Sequence, residues 1–155
     1  MLRLSKKADY ALMAVRHLAL PDGPSSTSAR EIAEQYDIPI ELMAKVLQRL
    51  VRAGLLISTQ GTRGGYTLRR LPAAISVADV IQAIDGPFMV TACSSDNNDC
   101  DQYSKCSIRD PLWQIRERIA ATLDTVTIAA MAAENYAVQV PVAHTAVIRR
   151  SECLE

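Results

Sequence analysis

Residues 28–66 read SAREIAEQYDIPIELMAKVLQRLVRAGLLISTQGTRGGY, and this segment carries most of the signals that specify the fold. Ser28 and Glu31 match a capping box, the reciprocal pairing of side chains with backbone amides that opens a helix. Pro39 suits the first turn of the next helix, which Gly54 closes as a left-handed cap. Two β-prone runs follow, separated by a glycine-rich tip. Two helices joined by a short turn and followed by such a hairpin predict a winged helix-turn-helix.

Further helices are predicted on both sides of this segment. Ser5 can cap a first helix, which stops at the proline- and glycine-containing turn 21–24. Ser76 can cap a later helix that ends at Gly86. The predicted fold class is therefore mostly α with a small β hairpin.

The longest predicted helix begins at Asp110, with Pro111 in its first turn, and is expected to run to Ala133. Its apolar residues recur at spacings of three, four or seven: Leu112, Ile115, Ile119, Val126 and Ala129. Such a stripe fits packing against another helix, which predicts a dimerisation helix in a homodimer. Folding back onto its own domain is the alternative. The predicted regions are a winged helix-turn-helix domain at 1–86, a cysteine-rich loop at 87–109, the dimerisation helix at 110–133 and a flexible tail at 134–155.

Charge divides the chain in two, although its 17 basic and 17 acidic side chains cancel. Residues 1–70 hold eleven basic and six acidic side chains, and residues 71–155 hold six and eleven. A basic first half suits phosphate contacts, and an acidic second half suits a separate task. Asp9, Arg16 and His17 interrupt the apolar start and no long apolar run follows, so we expect a cytoplasmic protein without a membrane span.

Residues of the helix-turn-helix and the hairpin are candidates for contacts with double-stranded DNA. The second helix of such a motif enters the major groove by its N-terminal end. A basic side chain on the hairpin can reach a phosphate or the minor groove, and glycines there allow close backbone approach. Each charged candidate is alternatively a solvated surface residue. The candidates are Arg30, Glu41, Lys45, Arg49, Arg63, Gly64 and Gly65.

Three cysteines, Cys93, Cys100 and Cys106, lie in the predicted loop. Zinc ribbons favour cysteines two to four residues apart, and no such pair occurs here. Three thiolates in a wide loop fit an iron–sulfur cluster but leave it one protein ligand short. A thiol–disulfide switch or a zinc site is the alternative. The fourth cysteine, Cys153, is expected to be a free thiol in the tail.

An enzyme is not expected. A catalytic thiolate needs a base close to it, and both histidines lie far from the three cysteines in sequence. The chain also shows no acid–base pair and no motif typical of a substrate pocket.

Several of these segments resemble the Rrf-type winged-helix transcriptional regulators, the family that includes IscR, NsrR and RirA. The resemblance extends to about Ala133, and it is strongest to the branch that regulates the SUF iron–sulfur assembly system. Its specific parts are the first-helix motif KADYAL at 7–12, the wing GTRGGY at 61–66, the helix start ISVADVI at 75–81, the loop motifs TACS at 91–94 and CSIR at 106–109, and VTIAAM at 126–131.

The resemblance implies a homodimeric repressor that binds palindromic operators and senses iron, redox state, oxygen or nitric oxide through a two-iron or four-iron cluster. Cys93, Cys100 and Cys106 match the family's cluster ligands. Some relatives have a histidine ligand where this chain has Arg109, and others use an acidic residue of the partner's first helix. Asp9 of the partner subunit is therefore the candidate fourth ligand.

The wing departs from the family pattern at one position. Many relatives have arginine where this chain has Gln60, which remains a candidate contact with DNA. Arg63 is expected to take over the contact that the family's arginine makes.

Overall fold

The computed structural model describes residues 3–21, 26–61, 64–91 and 100–133. These ranges contain six α-helices and one two-stranded antiparallel sheet. The helices are α1 (Lys6–Leu18), α2 (Ala29–Gln35), α3 (Ile40–Arg52), α4 (Val77–Asp85), α5 (Arg109–Thr125) and α6 (Ile128–Ala132), and the strands are β1 (Leu56–Thr59) and β2 (Gly65–Leu68). The fold class predicted from the sequence, mostly α with a small β hairpin, is confirmed.

Side-chain caps begin the helices where the sequence predicts them. The hydroxyl of Ser5 accepts a hydrogen bond from the Ala8 amide at 3.1 Å. Ser28 and Glu31 form the predicted capping box, with the Glu31 carboxylate 2.6 Å from the Ser28 amide that donates to it. Hydrogen bonds from the Ser28 amide and hydroxyl lower the pKa of the Glu31 carboxyl group. A second capping box begins α4 at Ser76.

A tight turn joins α2 to α3. Asp37 adopts a left-handed conformation with φ of 52°, and the Ile38 amide donates to the Ala33 carbonyl at 2.9 Å. Pro39 is the N-cap of α3, one position before its expected place in the first turn. Gly54, with φ of 74°, closes α3 as predicted. Caps at both ends therefore fix the length of α3.

One hydrophobic core joins helices α1 to α4, strand β1 and α6. The apolar spacing of α3 predicts a buried stripe of five residues: Met43, Val46, Leu47, Leu50 and Val51. The first four are buried as predicted, while Val51 is half-buried. Burying side chains of this size stabilises a fold by roughly 1.5–3 kcal/mol each. The largest fully buried side chains are Val15, Ile32, Met43, Val46, Leu47, Leu50, Leu56, Ile75, Val80 and Ile128.

The β1–β2 hairpin forms the predicted wing, with Leu56 paired to Leu68 at its base. A backbone bridge joins it to the segment before α2. The Thr27 amide donates to the Tyr66 carbonyl at 3.2 Å, and the Tyr66 amide donates to the Thr27 carbonyl at 2.9 Å. The base of the wing is thus fixed to the start of α2.

The helix predicted at 110–133 is divided in two. It begins one residue earlier, at Arg109, so Asp110 lies inside the helix instead of capping it. It ends at Thr125, and Thr127 begins α6 by accepting a hydrogen bond from the Ala130 amide at 3.1 Å. The β-branched residues between 125 and 128 and the capping preference of threonine explain the break.

The chain after the break returns to the core. The Val126 carbonyl accepts a hydrogen bond from the Val77 amide at 2.8 Å, and the Ile128 amide donates to the Ile75 carbonyl at 2.9 Å. Ile128 is fully buried. The alternative, that the C-terminal helix folds back onto its own domain, therefore holds for α6. Val126 and Ala129 are consequently not part of the predicted dimerisation stripe.

Helix α5 lies along α4 and has no buried residue in its 17 positions. Ile108, just before its first residue, is 61% exposed and Ile115 is 45% exposed. Leu112 and Ile119 are half-buried. In the part of the chain that the structure describes, no helix has the length and hydropathy needed to cross a membrane.

Candidate nucleic-acid interface and cysteine loop

Four polar side chains of α3 share one exposed face. Glu41, Lys45, Gln48 and Arg52 are spaced by four, three and four residues, which aligns them along one side of a helix, and all four are exposed. The opposite side of α3 is buried in the core, so this face has a fixed orientation. The sequence predicts all four on the side opposite the buried stripe, although only Glu41 and Lys45 are candidates for contacts with DNA.

Arg49 lies at the edge of this face and is engaged by the protein itself. Its Nη1 atom donates a hydrogen bond to the backbone carbonyl of Ile84, in the last turn of α4, at 2.8 Å. The side chain remains exposed to solvent. The structure shows that Arg49 is joined to α4, and its predicted contact with DNA stays a prediction.

A groove between the start of α1 and the exposed face of α3 is rich in basic side chains. It is lined by Lys7, Lys45 and Arg52, cations without an ion pair among the described residues, and Arg49, which is bound to α4, lies at its edge. Because these cations are close together, the groove attracts phosphate groups. Lys7 was not predicted as a site residue, since the periodicity of α3 carries no information about α1.

Arg30 and Gln60 are also exposed, in the first turn of α2 and just after β1. Among the described residues, no hydrogen bond or ion pair is found for the Arg30 side chain. Both are accessible to a partner, and their contacts with DNA stay predictions. Arg63 of the wing lies outside the described residues.

The wing glycines are required by packing within the protein. A Cβ atom on Gly65 would lie 2.9 Å from the carbonyl carbon and oxygen of Thr27. A Cβ atom on Gly64 would overlap the carbonyl oxygen of Thr59. Gly65 is also buried. These contacts explain why glycine is required at both positions. Close approach of DNA to Gly64 and Gly65 stays a prediction.

Cys100 and Cys106 flank a short 3-10 turn, Tyr103–Lys105. Both are half-buried free thiols, and the Cys100 carbonyl accepts a hydrogen bond from the Tyr103 amide at 2.9 Å. Cys93 lies outside the described residues. Within the ranges that are described, no three cysteine, histidine or acidic side chains lie together as a metal site would require.

Arg109 holds a positive charge beside this turn. Its Nε atom donates to the Asp110 carboxylate at 2.8 Å, and its guanidinium lies 4.6 Å from the centre of the Tyr103 ring. The hydrogen bond and the charge of Asp110 raise the pKa of Arg109, with a smaller contribution from Cys106, and Arg109 in turn lowers the pKa of Asp110. Arg109 therefore stays a cation and supplies no metal ligand.

The chemistry of this loop fits an iron–sulfur cluster as far as it is described. Two half-buried free thiols can act as thiolate ligands, and the ion pair of Arg109 and Asp110 lies beside them. Asp9 lies in the first turn of α1 and is exposed. A contact between Asp9 and the partner's loop stays a prediction.

Comparison with known proteins identifies the family. Residues 4–134 match the family model described as Rrf2, iron-dependent transcriptional regulator. The chain belongs to the Rrf2 family. It is 33% identical over 128 residues to the HTH-type transcriptional repressor NsrR of Streptomyces coelicolor, covering 82% of this chain and 86% of that one. It is 29% identical over 140 residues to the regulator IscR of Vibrio cholerae, covering 90% and 80%.

Solved Rrf2 structures share the fold. CymR of B. subtilis, described as a global cysteine regulator, superposes with a TM-score of 0.64 at 30% identity, covering 85% of this chain and 97% of that one. The winged helix-turn-helix prediction and the resemblance to Rrf-type regulators are confirmed. This Rrf2 protein is a DNA-binding transcriptional regulator and not an enzyme, as the sequence predicted.

Proposed function

We propose that this Rrf2 regulator is a cytoplasmic homodimer that represses SUF-type iron–sulfur assembly genes and senses iron, oxygen, redox state or nitric oxide through an iron–sulfur cluster. The observation that carries the proposal is the pair of free, accessible thiols, Cys100 and Cys106, beside the Arg109 cation in the loop that leads into α5. Similarity to NsrR and IscR supports it.

The cysteine loop supplies the residues that would hold the cluster. Cys93, Cys100 and Cys106 are the proposed ligands, and Asp9 of the partner subunit is the proposed fourth. When bound, a cluster supplies a centre that changes oxidation state and reacts with small oxidants. Arg109 offsets negative charge from a position fixed by Asp110 and Tyr103.

The DNA-reading surface is proposed to be the exposed face of α3, flanked by α2 and the wing. Glu41 and Lys45 near the N-terminal end of α3 are placed to read base edges, because that end enters the major groove in helix-turn-helix proteins. Arg30, Gln60 and the wing residues Arg63, Gly64 and Gly65 are proposed to position the protein on the backbone or in the minor groove. Lys7 adds positive charge at the other edge.

Pairing of two α5 helices is proposed to form the homodimer. Ile108, Leu112, Ile115 and Ile119 are spaced by four, three and four residues and line one partly exposed side. Two-fold pairing through this side would present the α3 helices to successive major grooves of a palindromic operator, about 34–36 Å apart.

Anaerobic purification tests the cluster. We expect visible absorbance together with iron and acid-labile sulfide in the wild-type protein. We expect Cys100→Ala and Cys106→Ala to lose all three, while Cys153→Ala, which removes a thiol outside the loop, retains them. A colourless wild-type protein without sulfide would contradict the proposal.

Binding to DNA upstream of the SUF-type genes of the source organism tests the regulatory role. Footprinting is expected to protect a palindromic sequence, with lower affinity or altered preference for the two cysteine variants than for Cys153→Ala. Protection of unrelated promoters only would refute the assignment to SUF genes and leave the cluster result unchanged.

The likeness to CymR favours a second candidate function, a regulator that uses its thiols without a cluster. Cys100 and Cys106 would then form disulfides or bind zinc. Zinc, or a change of thiol count on oxidation, in protein purified anaerobically without iron and sulfide would support this candidate over the first.

A further inference from the structure

The last turn of α4 joins three helices. Arg49 of α3 donates its Nη1 hydrogen bond to the Ile84 carbonyl at 2.8 Å. The next residue, Asp85, accepts hydrogen bonds from the amide and the hydroxyl of Ser5, the N-cap of α1, at 3.1 and 2.6 Å. One turn of backbone therefore holds both the start of α1 and the reading helix α3.

The acceptor at Ile84 is one that the fold leaves without a partner in its own helix. The last carbonyl groups of a helix point beyond its end, where no further amide of that helix reaches them. Cations are favoured at this end because the helix dipole is negative there. Ile84 itself is buried, so the bond from Arg49 ends on a carbonyl at the junction of α3 and α4.

The position of Arg49 on α3 agrees with this role. Arg49 is one residue past Gln48 and three before Arg52, which places it about 60–100° around the helix from the row that contains those two residues. Residues on that row point away from the core, whereas Arg49 lies on the side that faces α4. Its guanidinium can donate to α4 and still leave Lys45 and Glu41 free for a partner.

We infer that Arg49 is a positioning residue, which sets the orientation of the reading helix through α4, and not a phosphate contact as its charge suggests. The inference uses the DNA-binding role of the family and does not depend on the cluster. Gly86, with φ of 84°, is the residue that ends α4. The cysteine loop, 87–109, begins immediately after it. Arg49 thus ties α3 to the turn from which that loop departs.

Salt dependence of DNA binding separates the two roles. The probe is a duplex that the wild-type protein selects from a random-sequence pool, measured with the full chain over a range of salt concentrations. Arg49→Met is expected to weaken binding about tenfold, because α3 is then held in its binding orientation for only part of the time, with the slope of log K against log salt unchanged. Arg30→Met is the matched control, since it removes the same side chain from an exposed position. For this variant the slope should become less negative by about 0.9, because one phosphate contact is lost.

Hydrogen exchange in the free protein gives a second measurement. Without DNA, Arg49→Met is expected to speed exchange of the Gly86 amide, which donates to Gln82 in the last turn of α4, while Arg30→Met leaves it unchanged. A salt slope that becomes less negative by about 0.9 for Arg49→Met would overturn the inference. An unchanged affinity of Arg49→Met for DNA would also overturn it. Unchanged exchange at Gly86 would overturn it as well.

Discussion

The winged helix-turn-helix and helix α5 are held in different ways. Helices α1 to α4 each bury side chains in one shared core, and the α3 face that carries Lys45 rests on fully buried residues. Helix α5 is longer than any of them but buries none of its side chains, and Trp113 remains 41% exposed. The first region is thus stabilised by its own core, whereas α5 is held by half-buried side chains that lie along α4.

Helix α6 belongs to the core region, although it follows α5 in the chain. It comes after α5, yet Ile128 is fully buried and two backbone hydrogen bonds attach the preceding segment to the start of α4. Arg16 of α1 adds a further bond by donating to the Met131 carbonyl at 2.8 Å. The C-terminal end of α5 is consequently attached to the core.

The largest expected effect is a loss of stability in the core region. Ile128→Ala should lower the free energy of unfolding by about 2–5 kcal/mol, because it leaves a cavity in a packed core. Ile119→Ala, the matched change in α5, should cost much less in dilute, monomeric protein. Urea unfolding of both variants checks this, and equal losses would break the comparison.

For dimer formation, in contrast to stability, substitutions in α5 are expected to matter more than substitutions in the core. Ile115→Glu should raise the dimer dissociation constant at least about tenfold, because a charge would be buried in an apolar interface. Gln114→Glu adds the same charge about 100° around the helix and should have little effect. Sedimentation equilibrium measures both, and dimers that resist Ile115→Glu would show that α5 is not the interface.

A smaller effect is expected at the break between α5 and α6. Thr127→Ala should destabilise the fold by about 1 kcal/mol, since the cap of α6 is lost, whereas Thr127→Ser should retain most of the stability. Thermal unfolding resolves the difference. If Thr127→Ala is neutral, the cap does not stabilise α6.

The smallest expected effect concerns pH. Since its folded pKa is lowered, the Glu31 carboxylate contributes stability above its ordinary value of 4.5 and loses it as pH falls through the folded pKa. The stability difference between the wild type and Glu31→Gln should therefore shrink below about pH 4.5. Glu34→Gln, on the same helix, serves as the control, and a difference that does not depend on pH would contradict the expectation.

Most of the core region could be predicted because its signals are local. Ser5, Ser28, Ser76 and Gly54 act at helix ends through neighbouring atoms, and the apolar spacing of α3 predicts its buried side. The break at Val126–Thr127 was missed because it depends on a pairing with residues 75–77, about fifty positions earlier. The apolar residues keep their helical spacing across the break, and this spacing does not show that the segment pairs with residues 75–77.

The site was predicted less completely for the same reason. Residue type and spacing make Lys45 and the three cysteines candidates, and their roles stay predictions. The role of Arg49 could not be predicted, because its partner is a backbone carbonyl of another helix, which no side chain in the sequence reveals. Lys7 likewise becomes part of the basic groove only when α1 packs beside α3.

The backbone bridge between Thr27 and Tyr66 sets a dimension of the interface. Because both hydrogen-bonding groups of the Thr27 backbone are used by Tyr66, the root of the hairpin and the first turn of α2 cannot separate without breaking this pair. The distance between Arg30 and the wing is therefore fixed before DNA arrives. Insertions in the loop between β1 and β2 would change the length of the wing, but not the spacing between its base and α2.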